Sequence, residues 1–370
     1  MDSLFNYLES IYKRLPSLVQ LDIKSCEIIN SYEFKDFIND DKKCIELISS
    51  VLEFPIETIF INRHRASHII VTWILGVGFS NFVKGSTVLT GLSNLYETRL
   101  WLQTAMVHDY GYFCREIKSC LPLEALTKDY DLLTDVYSVQ ALNCLNGLSL
   151  NSEFKCFFSY SYQEIKNYYA YIQSVHKNVM KDFEEVSDHG IVGGCKAFSK
   201  YCKHIISLKN KINYNSSSVI TIIQKISCLI AASHNIFKSN ADSDKAYIEA
   251  GLEDLTSTSA IRVTRKNFFL ALLSLVDTLE CTKRFSKKDN PHEYLLQSTI
   301  LSCLDINVEN KVILIDFSRL DNFIAKERRS KQMRQKLEKH IDAIAELYSW
   351  TDFYVTRNNA NKKMVEVKLK

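Results

Sequence analysis

LWLQTAMVHDYGYF, residues 100–113, is the stretch from which the fold and chemistry of this chain are most directly predicted. An apolar run of helical character ends in the adjacent pair His108-Asp109, and Gly111 breaks the pattern just beyond it. Neighbouring helical residues point about 100° apart, but at a helix end both side chains can still reach one ion or bridge two. Imidazole and carboxylate ligands together suit Fe, Mn, Zn or Mg. The stretch therefore predicts a buried helix that ends at a metal site.

A second apolar helix is predicted upstream, in RHRASHIIVTWILG, residues 63–76. His68 lies where this helix enters its apolar run, so its imidazole is expected to be buried rather than exposed. His64 lies four residues earlier on the same helical face and is the alternative ligand. We predict that His68 is the metal ligand of the two.

A third apolar helix is predicted in FFLALLSLVDTLE, residues 268–280, and it contains Asp277. A charged carboxylate on an apolar helix face costs several kcal/mol unless it is paired or bound to a cation. Asp277 therefore needs a partner. A metal ion that also binds His68, His108 and Asp109 would supply one.

Two further histidines have contexts that suit metal ligands. His189 lies in SDHGIVGG, residues 187–194, at the predicted start of a helix, and His234 ends the helical pattern of residues 219–234. The alternative for His189 is a role at a helix start that Asp188 caps. The alternative for His234 is a helix-end imidazole that interacts with the last carbonyls.

The composition is that of a globular protein with a substantial core. The chain has 370 residues, of which 46% are apolar and 24% charged, and its net charge is +3. That balance is too weak to argue for nucleic-acid or membrane binding. The 11 cysteines form no C-x-x-C pair, and MDSLFNYLESIYKR at the start lacks a signal-peptide pattern. We therefore predict a cytoplasmic protein with reduced thiols and no membrane partner.

Helical periodicity dominates the chain, so the predicted fold class is mainly α with a small α+β C-terminal portion. NKVILIDF, residues 310–317, has strand composition, a charged helix follows over 320–347, and two strands flank an Asn-rich turn at 358–361. Other helices are predicted over residues 3–15, 34–53, 64–83, 94–109, 163–181, 190–207, 218–234 and 266–282. The predicted parts are an N-terminal helical segment (1–59), a metal-binding helical domain (60–303, with an insertion near 120–165) and the small C-terminal portion (304–370).

Two segments allow a binding function or a packing function. The aromatic run 157–172 could stack a nucleobase, but core or lid packing is the favoured interpretation. The basic stretch KERRSKQMRQKLEK, residues 326–339, could contact nucleic acid, but a solvated helix face with i, i+4 pairs is favoured.

The order of these residues, His68, then the His108-Asp109 pair, then Asp277, resembles the HD-domain phosphohydrolase superfamily. That superfamily is named for its paired His-Asp, and its members are helical metal-dependent enzymes. The two later histidines fall between the pair and Asp277, so the chain is similar to the two-metal branch that includes cyclic-nucleotide phosphodiesterases. The resemblance covers about residues 60–285 and implies a helical HD-domain bundle.

The resemblance also implies two divalent metal ions (Mn, Fe, Mg, Ni or Zn) and a ligand set for each. The first ion would be held by His68, His108, Asp109 and Asp277, and the second by His189 and His234, with Asp109 bridging both. The candidate catalytic residues are Asp109 and the cations Arg115 and Lys283, which could stabilise charge on a phosphate. Lys266 and Arg284 are alternatives for the cationic role.

The function that this resemblance implies is hydrolysis of a nucleotide phosphoester by metal-activated water, in the manner of a phosphodiesterase. The alternatives are a dNTP or NTP phosphohydrolase, a nucleotide-sensing regulatory module without turnover, and a nuclease, which the charge balance disfavours. The expected partner is a small phosphorylated substrate, and the chain could form a homo-oligomer.

Overall fold

The computed structural model describes residues 1–18, 21–52, 65–84, 95–110, 268–285, 295–309, 312–327, 330–349, 353–358 and 360–369, together with the single residues 197, 224, 227, 228, 230, 231 and 234. The chain divides into two compact units, Met1–Leu102 with Ala271–Lys370, and Gln103–Leu270. The described residues are mostly helical, with a small antiparallel sheet near the C-terminus. The predicted fold class is confirmed at this level, and the three-part division of the chain stays a prediction.

Short helices fold the N-terminal region of the first unit around apolar side chains. In α1, Leu4, Leu8, Ile11 and Tyr12 are buried at the spacing of one helical face. Ser3 caps α1, since its side chain accepts a hydrogen bond from the Asn6 backbone amide. The helices here are α1 (Leu4–Tyr12), α2 (Leu15–Leu18), α3 (Ile23–Asn30), α4 (Phe34–Ile38) and α5 (Asp41–Leu52).

The predicted helix over residues 34–53 is two helices, because the chain turns at Asp40. The side chain of Asp40 accepts a hydrogen bond from the Lys42 amide at 2.9 Å, and its carbonyl accepts one from Cys44. Asp40 thus starts α5 as an N-terminal cap. The helix predicted over 3–15 likewise ends at Tyr12, and α2 follows as a separate turn.

The long helix α6 (Arg65–Lys84) is the centre of this packing, since α1, α4 and α5 all contact it. Most of its described side chains between residues 66 and 80 are buried, as predicted from its apolar composition. The helix α7 (Leu95–Val107) contributes Trp101, whose ring nitrogen donates a hydrogen bond to the Trp73 carbonyl at 3.0 Å. The apolar helix predicted over residues 64–83 is therefore α6, and it carries His68 at the core of the first unit.

The remaining helices of the described chain lie before and among the C-terminal strands. The apolar helix predicted over 266–282 is confirmed as α8, although it ends earlier, at Leu279. The charged helix predicted over 320–347 is interrupted after Ile324 and resumes at Ser330. These helices are α8 (Phe268–Leu279), α9 (Thr282–Phe285), α10 (Gln297–Ser302), α11 (Ser318–Ile324) and α12 (Ser330–Ala345), with a 3-10 turn at Glu346–Ser349.

The sheet has five antiparallel strands in the order β1-β2-β3-β5-β4. Alternate residues of β3 are buried, and α12 covers β4 and β5, so one face of the sheet is apolar. The predicted strand at 310–317 and the predicted hairpin around 358–361 are both confirmed. The strands are β1 (Asp2–Ser3), β2 (Asp305–Glu309), β3 (Val312–Asp316), β4 (Phe353–Arg357) and β5 (Met364–Leu369).

Two strands of this sheet, β1 and β2, were not predicted, and β1 comes from the opposite end of the chain. Asp2 pairs with Ile306, and Ser3 pairs with Asp305. The Leu4 amide then donates to the Leu304 carbonyl at 2.7 Å as α1 begins. The first residues of the chain therefore belong to the same sheet as the last ones.

Candidate metal centre

His68 is the residue around which the candidate centre is built. It lies in the first turn of α6 and is completely buried. Its Nε2 atom is 3.0 Å from Oδ1 of Asp277, and its Nδ1 atom is 2.5 Å from Oε2 of Glu280. Both ring nitrogens thus face carboxylates, one on each side of the imidazole.

Asp277 has the partner that its apolar surroundings required. It lies near the end of α8, where Leu275 and Val276 are buried, and its own side chain remains 21% exposed. The exposed fraction means that the carboxylate faces a partly open position rather than the closed core. Such a carboxylate can pair with His68 and remain accessible to an ion.

Glu280, which sequence reasoning did not single out, is more deeply buried than Asp277. Its side chain is fully buried directly after the end of α8, and its second oxygen accepts a hydrogen bond from the Thr282 amide at 2.7 Å. Glu280 is the third residue after Asp277, and this spacing places the two carboxylates on the same side of the helix end. That spacing, together with a histidine that the sequence predicted to be buried, was the signal from which Glu280 could have been identified.

His108 continues the helical hydrogen bonding of α7, since its amide donates to the Thr104 carbonyl. The ring is buried, and its Nδ1 atom is 2.7 Å from the Ala105 carbonyl oxygen. A carbonyl can only accept, so Nδ1 donates to it. Nε2 is therefore the ring nitrogen through which a metal ion would bind.

Within the first unit, His68 and Asp277 bring an imidazole and a carboxylate to 3.0 Å from one another. A histidine and a carboxylate of this kind could bind a divalent metal ion, and such sets suit several transition metals. Two of the predicted ligands are therefore brought together in this unit, while His108 belongs to the second unit.

Asp109 and His234 lie next to His108 within the second unit. Asp109 is buried, with its Oδ1 atom 3.8 Å from Nε2 of His108. The His234 ring meets the His108 ring edge-on, with 5.5 Å between the ring centroids. Nδ1 of His234 is 2.5 Å from the Ala231 carbonyl oxygen. Both residues are thus adjacent to His108, and the role of all three as ligands stays a prediction.

Other predicted site residues are not placed by the structure. His189, Arg115 and Lys266 lie outside the described residues, as do the insertion near 120–165 and the aromatic run 157–172. Lys283 belongs to the short helix α9. The catalytic roles predicted for Arg115 and Lys283 stay predictions.

Comparison with known proteins gives no relative from which a function could be transferred. No protein-family model, curated protein or solved structure matches this chain. Among the helices that the structure describes, none has the length and apolar character needed to cross a membrane. The case for a function therefore depends on the side chains around His68.

Proposed function

We propose that this chain is a metal-dependent phosphohydrolase of the HD-domain type that hydrolyses a nucleotide phosphoester, in the manner of a phosphodiesterase. The observation that carries the proposal is the fully buried His68, whose Nε2 atom is 3.0 Å from Oδ1 of Asp277 and whose Nδ1 atom faces Glu280. The order of His68, the His108-Asp109 pair and Asp277 along the chain is the one that the HD-domain resemblance requires.

The protonation of the histidines supports a metal at this position. Each of the described histidines His68, His108 and His234 has its Nδ1 atom within hydrogen-bonding distance of an oxygen that accepts. Each Nδ1 can therefore donate, so an ion would bind through Nε2; on His68 that nitrogen faces Asp277 at 3.0 Å, and the ion would replace any proton shared between the two. The acceptors are the Glu280 carboxylate for His68, the Ala105 carbonyl for His108 and the Ala231 carbonyl for His234.

Burial also favours an ion over a purely structural cluster. His68 and His108 are completely buried, and Asp109 is 1% exposed. Burying several polar and charged groups together costs free energy unless their interactions compensate for it. A cation bound between the imidazoles and Asp277 would compensate the negative charge, and would act on a phosphate as a Lewis acid and as a source of nucleophilic water.

The residues around this ion would have distinct tasks. His68, His108 and Asp277 would fix its position, and the partly exposed Asp277 lies on the side from which a substrate could approach. Asp109 and His234 are the described candidates for a second ion, because both lie beside His108. A second ion is what makes the phosphodiesterase branch of the resemblance the favoured one.

The experiment that tests the proposal combines metal analysis with a substrate screen. Protein purified without chelator is assayed for bound Mn, Fe, Ni and Zn, and then for hydrolysis of cyclic nucleotides, dinucleotides, dNTPs and NTPs with each added divalent ion. The variants are His108→Gln and Asp277→Asn, with Asp305→Asn as a control in an ion pair with Arg319 on the sheet. We expect metal-dependent hydrolysis in the wild type and the control only.

The outcomes separate the proposal from its alternatives. Turnover of dNTPs or NTPs alone would replace the phosphodiesterase assignment with a triphosphohydrolase. Bound metal and nucleotide binding without any turnover would support a sensing module. Absence of bound metal under every condition would overturn the metal-dependent function.

A further inference from the structure

The strongest additional feature of the site is Glu280, a buried carboxylate that the proposed chemistry does not itself use. We propose that Glu280 is a positioning residue that fixes the tautomer and the ring orientation of His68, so that Nε2 is presented to the metal. This inference rests on the proposed function, because it assigns a role within the same site. It adds a residue that neither the sequence pattern nor the resemblance identified.

The geometry places Glu280 on the opposite side of the imidazole from the candidate ion. Oε2 of Glu280 is 2.5 Å from Nδ1, whereas Asp277 is 3.0 Å from Nε2. The two ring nitrogens point away from each other, so a carboxylate on Nδ1 does not share the ion that Nε2 binds. Glu280 therefore acts through His68 and is not a ligand of that ion. Metal-binding histidines commonly have such a carboxylate or carbonyl on the second nitrogen.

The second oxygen of Glu280 makes the orientation of the carboxylate unambiguous. Oε1 accepts a hydrogen bond from the Thr282 amide at 2.7 Å, while Oε2 faces His68. The Thr282 amide can only donate, so Oε1 is the accepting oxygen of that bond and Oε2 is the oxygen that faces His68. In the inferred arrangement Nδ1 of His68 donates to Oε2. The Thr282 amide, at the start of α9, thus fixes the Glu280 side chain, and Glu280 in turn orients His68.

Glutamine could not replace this glutamate without a conflict. If its amide oxygen accepted from the Thr282 amide, its NH₂ group would face Nδ1 of His68 and favour the tautomer whose Nε2 carries the proton. If the amide oxygen faced Nδ1 instead, the NH₂ group would oppose the Thr282 N–H, leaving two donors together. In the first arrangement His68 cannot bind an ion through Nε2. Glu280→Gln, nearly identical in size, is therefore the discriminating variant.

The test has one readout that needs no metal and one that does. In protein labelled with ¹⁵N-histidine, two-bond ¹H–¹⁵N correlations report which ring nitrogen is protonated, and the signals absent from His68→Gln assign residue 68. We expect a protonated Nδ1 in the wild type and a shift toward a bare Nδ1 in Glu280→Gln. Mn²⁺ titration, followed by the electron paramagnetic resonance of free Mn²⁺, should then show affinity about 10- to 100-fold weaker in Glu280→Gln.

The matched control is Glu338→Gln, which removes a carboxylate from the ion pairs beside the sheet and should leave Mn²⁺ affinity unchanged. If Glu280→Gln does not fold, the wild-type spectrum still decides, because a bare Nδ1 at His68 overturns the inference. Equal Mn²⁺ affinity in the wild type and a folded Glu280→Gln overturns it as well, while leaving the proposed function intact. A wild type that binds no metal ion would overturn both.

Discussion

The indole ring of Trp101 lies directly against Gly76. A Cβ atom added at Gly76 would lie 1.9 Å from Cζ2 of Trp101 and 2.2 Å from Cε2. The same indole donates its N–H to the Trp73 carbonyl, one helical turn before the glycine. The absence of a side chain at Gly76 therefore lets α7 approach α6, the helix that carries His68.

This contact predicts that Gly76→Ala destabilises the protein even though alanine is the better helix former. Alanine should gain about 1 kcal/mol in helix propensity. Overpacking of the indole should cost about 1–3 kcal/mol or more, because the rigid ring has no free end that can move aside. Urea unfolding should show a net loss of stability for Gly76→Ala. A gain would contradict the close approach.

Gly78→Ala is the control on the same helix. A Cβ atom at Gly78 would meet Tyr7 Oη at 2.6 Å and Ile11 Cδ1 at 2.7 Å. Both atoms are far ends of side chains that can rotate, so the cost is smaller than at Gly76. Equal losses in the two variants would mean that any volume added to α6 destabilises the protein, whether or not it meets Trp101.

Metal removal provides a prediction at the candidate centre. An ion that binds only the folded protein stabilises it by about 2.7 kcal/mol when its free concentration is 100 times its dissociation constant. We expect added Mn²⁺ to raise the unfolding free energy of the wild type by this order, and chelator to abolish the increase. Asp277→Asn should show little response to Mn²⁺, because the carboxylate that would bind the ion is lost. The measurement is urea unfolding with and without the ion, and an unchanged response in Asp277→Asn would exclude Asp277 as a ligand.

The sequence pattern predicted the apolar helices better than the short elements. The helices that carry His68 and Asp277 are rich in apolar residues, so their burial was evident from composition. The strand β1 has only two residues, Asp2–Ser3, and no alternation can be seen in so short a segment. Its pairing with β2 depends on contacts between opposite ends of the chain, which local sequence does not encode.

The two carboxylates near the end of α8 show a limit of reasoning from apolar surroundings. Asp277 was predicted as a ligand because apolar residues flank it on both sides, yet it is 21% exposed. Glu280 ends the same apolar run and resembles an ordinary exposed helix-end residue, yet its side chain is fully buried. The difference depends on where His68 and the Thr282 amide lie in three dimensions. A sequence alone cannot supply that information.

Helix capping gives a prediction away from the site. Asp22 accepts a hydrogen bond from the Ser25 amide at 2.8 Å at the start of α3, and its other oxygen accepts one from the Ser25 hydroxyl. Asp22→Ala should therefore destabilise the protein by about 1 kcal/mol. Glu33 precedes α4 with a similar extended backbone but makes no side-chain capping bond, so Glu33→Ala should cost much less. Thermal unfolding of the two variants measures the difference, and equal losses would contradict a capping role for Asp22.

The ion pairs beside the sheet predict a pH-dependent contribution from Glu338. Partial burial raises the pKa of Glu338. Hydrogen bonds and positive charge from Lys363 and Arg357 lower this pKa by more, so it lies below the ordinary value. A carboxylate whose pKa is lower in the folded state stabilises it above its ordinary pKa of 4.5. That stabilisation is lost as the pH falls from this value through the lower folded pKa, where the folded form is also protonated.

Comparison of the wild type with Glu338→Gln therefore gives a difference that depends on pH. Because the Glu338 side chain is 41% exposed, water and salt screen the pairs, and the difference at neutral pH should be at most about 1 kcal/mol. It should shrink below pH 4.5 and also in high salt, as measured by urea unfolding across a pH series. Glu309→Gln is the control, since this exposed carboxylate bonds to the uncharged Asn307 side chain and should show a small difference throughout. A Glu338 difference that grows as the pH falls would reverse the sign of the argument, because the protonated form would then be the one that the folded protein stabilises.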